Sequence, residues 1–64
     1  MTLTKNKLKE FREKENLSQE KLAEKVKVSR QTIISIESSK YVPSLELALK
    51  LAKLFKCKVE DLFE

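Results

Sequence analysis

Sixty-four residues fit one small domain, and a chain of that size buries only about 60% of the surface it exposes when unfolded. Charged residues make up 38% and apolar ones 41%, the balance of a solvated globule rather than a disordered tail. No apolar run exceeds three residues, which excludes a membrane span or secretory leader and predicts a cytoplasmic protein.

The net charge of +4 lies wholly in residues 1–43, with ten Lys or Arg against six Asp or Glu (10 − 6 = +4); residues 44–64 hold four of each. Such a basic half suits a phosphate backbone, although a solvated lysine-rich surface carries the same composition. With no histidine, one cysteine and no glycine, the chain offers no metal-ligand set, catalytic triad or phosphate-binding glycine loop, and no cofactor or enzymatic activity is expected. The single cysteine, Cys57, cannot form an intrachain disulfide and is read as a packing residue.

The absence of glycine and the single proline argue against strands joined by tight turns, and the apolar spacing predicts an all-α chain of five helices. The first is expected from Lys5 to Glu15, with Leu8 and Phe11 on one face. The second follows Ser18, a good N-cap, and turns Leu22, Ala23 and Val26 inward. The third follows Ser29, a second cap, and buries Ile33 and Ile36. Pro43 marks a break, because the residue before a proline is driven out of helical geometry. Ser44 then caps a fourth helix, Leu45 to Phe55, the most apolar of the five. A short fifth helix, Val59 to Phe63, follows the turn at Lys56, Cys57 and Lys58, with Lys58 a poor cap.

The second and third helices, joined by a tight turn over about residues 18–38, have the pattern of a helix-turn-helix. In that motif one helix supports a second whose N-terminal end enters the DNA major groove. The third helix opens with the donors such a role needs. Arg30 can bond guanine O6 and N7, and Gln31 adenine N6 and N7, each good bidentate pair contributing about 1–3 kcal/mol of discrimination. Thr32 and Ser35 reach bases or phosphates with less information. Ser29 is both a cap and a candidate phosphate contact. Ile34 does not fit the core spacing; it could touch a thymine methyl or be partly covered by its neighbours, and it is left out of the candidate site.

The runs SQEKLAEKVKVSRQTI, IESSKYVPSLELALKLAKLF and VEDLF closely resemble the Cro and phage-repressor (xenobiotic-response-element) family of helix-turn-helix domains, and within it the short bacterial regulators of the cytolysin-repressor type. The likeness covers Leu8 to Phe63 and implies a single five-helix, lambda-repressor-like domain over residues 1–64. It implies phosphate contacts at Gln19 beside Ser18, where a helix N-terminus is itself favourable, and at Ser38, Lys40 and Tyr41 in the loop after the third helix. It also implies a partly buried ion pair between Arg12 and Glu37. One departure stands out. The family usually has glycine where this chain has Asn16, Lys27, Ser39 and Lys56. If those positions take positive φ, each lysine and the serine costs about 1 kcal/mol.

The reading that follows is a sequence-specific regulator of transcription, a repressor on double-stranded DNA. One small domain covers few base pairs, so a homodimer on an inverted repeat is expected, with half-sites about 34 Å apart or a multiple of that. Leu47, Leu51, Leu54, Leu62 and Phe63 are the expected dimer contacts, since the fourth helix is apolar on more than one face. The alternative is a protein-interaction module, such as the antitoxin or partner of a separate effector, with DNA binding secondary. Substituting Arg30 and Gln31 separates the two.

Overall fold

The computed structural model describes residues 6–63. Its five helices are α1 (Leu8–Lys14), α2 (Gln19–Val26), α3 (Arg30–Glu37), α4 (Leu45–Leu54) and α5 (Val59–Leu62). The order and number are those read from the sequence; the differences lie at the ends. Lys5, the expected start of the first helix, lies outside the described residues, and Asn6 and Lys7 precede the helix without joining it. Phe63 is extended (φ −122°, ψ 136°) and forms an antiparallel bridge with Asn6, so the fifth helix stops one residue early.

Serine starts three of the helices by one mechanism. Ser18 Oγ accepts from the Lys21 amide at 3.0 Å, Ser29 Oγ from Thr32 at 3.2 Å and Ser44 Oγ from Leu47 at 3.1 Å. Each bond satisfies a first-turn N–H that the helix itself leaves unpaired. Helix α5 is capped from inside. Asp61 Oδ2 accepts the Lys58 amide at 2.9 Å, and the Asp61 amide donates to Lys58 O at 2.9 Å. The acidic residue at the third helical position thus compensates for a lysine that has no acceptor to offer.

The four positions that lack the family glycine all take positive φ: Asn16 57°, Lys27 60°, Ser39 63° and Lys56 55°. Each is the left-handed residue that ends a helix. At α2, for example, the Lys27 amide donates to Glu24 O at 3.2 Å and the Val28 amide to Ala23 O at 3.0 Å. The same pair of backward bonds closes α1, α3 and α4. The helix ends are therefore satisfied, with a steric cost left at each Cβ.

One core joins all five helices, built from Leu8, Leu22, Ala23, Val26, Ile33, Ile36, Leu47, Ala48, Leu51, Ala52, Leu62 and Phe63. Helix α2 packs mainly on α3, which fixes the two helices as a unit, and α5 packs on α4. Phe11 meets Phe55 beside this core with ring centroids 5.8 Å apart and planes tilted by 53°.

The burial corrects the expected dimer contacts. Leu51, Leu62 and Phe63 are 0% exposed and Leu47 is 7% exposed within their own protomer, so they have almost no area left for a partner. Leu54 is partly buried against the same core. The outer face of α4 carries Leu45 and Leu49 instead, one turn apart and 71% and 53% exposed.

Candidate nucleic-acid interface

Helix α3 is held from below and open above. Ile33 and Ile36 are completely buried, whereas Arg30 and Gln31 are exposed and Thr32 and Ser35 half-buried. Successive residues on a helix are 100° apart, so Arg30 and Gln31 cannot face the same way. Ser29, Gln31, Thr32, Ser35, Lys40 and Tyr41 line one shallow depression between α3 and the loop that follows it. Arg30 lines another, with Arg12, Ser18, Gln19 and Glu20. The two candidate base readers are thus divided: Gln31 lies with the loop cation Lys40, and Arg30 lies with the N-terminus of α2.

Several of the hydroxyls already hold intramolecular bonds. Ser29 Oγ and Thr32 Oγ1 share one proton at 2.9 Å, in addition to the cap bond that Ser29 accepts. Ser38 Oγ donates to Ser35 O at 3.2 Å, so its proton is turned toward the helix. Ser18 Oγ accepts in its cap bond, and its O–H can rotate to donate outward. Tyr41 is 43% exposed at the edge of the Gln31 depression.

A charged network lies directly behind this surface. Arg12 Nε donates to Glu37 Oε2 at 2.7 Å, Arg12 Nη2 to Glu37 Oε1 at 3.2 Å and Arg12 Nη1 to Leu17 O at 2.7 Å. The two side chains are only 11% and 6% exposed. The hydrogen bond to Glu37 raises the Arg12 pKa above its ordinary value against the opposing effect of burial, so the guanidinium stays charged. Gln19 Nε2 donates to Glu37 Oε1 at 3.1 Å. A carboxylate can only accept there, which fixes the amide: Gln19 turns its nitrogen inward and keeps one further N–H and its Oε1 for anything outside.

Asn6 is the residue sequence reasoning missed. Its Oδ1 accepts from the Leu8 amide at 3.0 Å and its Nδ2 donates to Ile36 O, at the end of α3, at 2.9 Å. An asparagine just before an apolar helix is a capping signal, and the first bond was accessible from that; the second joins residues 30 apart and has no local signature.

Cys57 is half-buried, and burial, then the charge of Asp61, raises its thiol pKa above the ordinary value. A protonated thiol is a poor nucleophile. Among the described residues no group of three or more His, Cys, Asp or Glu is placed to hold a metal ion, and no helix is long and apolar enough to cross a membrane.

Comparison with known proteins bears on this surface. The helix-turn-helix family (HTH_3) matches residues 8–62. An uncharacterized HTH-type transcriptional regulator of Methanocaldococcus jannaschii is 63% identical over 59 residues, covering 92% of this chain and 89% of the relative. The HTH-type transcriptional regulator YgzD of Bacillus subtilis is 58% identical over 59 residues, with the same two coverages. A third such regulator, from Archaeoglobus fulgidus, is 54% identical over 56 residues, covering 88% of this chain and 79% of the relative.

Proposed function

The chain belongs to the helix-turn-helix family of DNA-binding transcriptional regulators, and we propose that it acts as a repressor, binding an inverted-repeat operator as a homodimer. Helix α3 enters the major groove with Gln31 toward the bases, supported by Thr32 and Ser35. Arg30 reads a base at the edge of the contact. Ser18, Gln19, Ser29, Ser38, Lys40 and Tyr41 grip the flanking phosphates. The observation that carries this reading is the depression that gathers Gln31, Thr32 and Ser35 with Lys40 and Tyr41, a base-reading group beside a phosphate-holding one.

One part of the contact needs adjustment on docking. Ser38 must release Ser35 O before its hydroxyl can donate to a phosphate, whereas Gln19 can use its second amide proton without leaving Glu37.

Size supports the dimer. The longest dimension of the Cα trace is 27 Å, shorter than the roughly 34 Å between equivalent major-groove faces, so one unit serves one half-site. A second copy covers Leu45 and Leu49, the exposed apolar pair of α4. Where the operator overlaps a promoter, a bound dimer represses by excluding polymerase by volume.

Selection of bound duplexes from random DNA at near-physiological salt, with sedimentation of the free protein, tests the proposal. An enriched inverted repeat and a dimer support it. A folded protein that enriches no sequence would sink it, and a single half-site bound by a monomer would remove the homodimer.

A further inference from the structure

Three distant parts of the chain meet at Asn6. The residue bridges to Phe63, and the next amide, that of Lys7, donates to Leu62 O at 2.8 Å, so the start of α1 is clasped to the end of α5. The Asn6 side chain then acts in two directions. Its oxygen accepts from the Leu8 amide, and its nitrogen donates to Ile36 O. Because the oxygen can only accept and the nitrogen only donate, the two bonds together fix the orientation of the amide.

Ile36 O is not an ordinary helix carbonyl. It also accepts from the amide of Ser39 at 3.0 Å, the residue whose φ of 63° turns the chain toward Lys40 and Tyr41. One carbonyl therefore receives both the bond that shapes the loop and the bond from Asn6. The N-terminal end of α3 has its own fixture in the Ser29 cap. Asn6 is its counterpart at the other end.

We propose that Asn6 is a positioning residue for DNA recognition, fixing the end of α3 and the start of the Lys40–Tyr41 loop relative to the clasped chain ends. The inference rests on the DNA-reading role of α3 given above. Its physical basis is registration. Gln31 on a base and Lys40 on a phosphate must fit one rigid duplex at once, and phosphate contacts set the register in which bases are read. A contact set of this kind tolerates only about 0.5 Å of displacement. Non-specific binding depends on charge alone and tolerates a looser α3.

The test uses the full chain with two variants. Asn6→Asp keeps the acceptor for the Leu8 amide and replaces the donor to Ile36 O with an acceptor. Asn6→Ser keeps a short capping hydroxyl that cannot span to α3, and it avoids a new charge. Binding is measured to the duplex enriched by the wild-type chain and to a scrambled duplex of the same composition. Hydrogen exchange of the Ser39 and Lys40 amides is measured without DNA, with the Lys27 and Val28 amides as control, below the melting temperature of the weakest protein.

In both variants the Ser39 and Lys40 amides exchange faster while the control amides do not. The Kd for the enriched duplex rises about tenfold, roughly the loss of one base contact, and that for the scrambled duplex stays within about twofold. Unchanged exchange at Ser39 and Lys40, or equal losses on both duplexes, would overturn the positioning role. Failure of the wild-type chain to prefer any duplex would instead overturn the DNA-reading role and this inference with it, and it would be seen before any variant was made.

Discussion

Three donors converge on the Glu37 carboxylate, two from Arg12 and one from Gln19, and this decides how substitutions here are to be interpreted. Removing one partner of a buried pair strands the other charge, at a cost of about 3–5 kcal/mol. A domain of this size has little more than that in total stability. Glu37→Ala is therefore expected to lower the melting temperature drastically or prevent folding, and any loss of DNA binding would follow from that. Thermal denaturation by circular dichroism checks it; a change below about 1 kcal/mol would show that the pair is solvated rather than buried. Gln19→Ala removes one neutral donor to that charge and is expected to cost less, about 1.5–3 kcal/mol.

Cys57 gives a pH prediction at the same scale. Its thiol pKa is raised in the folded protein, first by burial and then by Asp61, so the folded state keeps the proton longer than the unfolded one. The neutral thiol is stable below the ordinary pKa, and ionisation opposes the fold as pH rises beyond it. Alkylation of Cys57 in the folded chain should be slow at pH 7 and reach half its limiting rate above pH 9.0, the ordinary value. A midpoint below that value would contradict the burial argument.

At the scale of the elements, the helix ends carry a removable cost. Lys27, Ser39 and Lys56 hold left-handed geometry with a Cβ in place. Lys27→Gly, Ser39→Gly and Lys56→Gly are each expected to stabilise the chain by about 1 kcal/mol, roughly 4–8 °C in melting temperature. Asn16→Gly should gain less, because asparagine tolerates that region. No gain at any of the three would show that backbone entropy of the glycine in the unfolded chain offsets the steric relief.

The elements also show where the sequence was legible. Ser18, Ser29 and Ser44 stood out as caps because the chemistry of a cap is local, and the apolar spacing of α2 and α3 placed Leu22, Val26, Ile33 and Ile36 inward without ambiguity. Helix α4 was illegible in one respect. Its apolar residues surround it, so periodicity could not choose between Leu47 and Leu51, which face the core, and Leu45 and Leu49, which do not. The clasp between Asn6 and Phe63 joins opposite ends of the chain, a contact no local pattern encodes. In the candidate site, residue types singled out the start of α3, but only the fold could show that Arg30 lies with Ser18 and Gln19 and not with Gln31.

For the whole molecule, the charge asymmetry and the candidate interface belong together. Residues 1–43 hold the entire net charge of +4 and also α2, α3 and the Lys40–Tyr41 loop. Binding should weaken steeply with salt, because each neutralised phosphate releases counterions and contributes about −0.9 to the slope of log K against log salt. The central claim is that this surface divides its work, Gln31 reading a base and Lys40 holding a phosphate. The most direct test is binding of Gln31→Ala and Lys40→Ala to the selected operator and its single-base variants across a range of salt. The account predicts that Gln31→Ala loses discrimination at one position per half-site with the salt slope unchanged. Lys40→Ala should weaken all duplexes alike and reduce the slope by about one per protomer. A Gln31→Ala protein that keeps the full base preference of the wild type would contradict it.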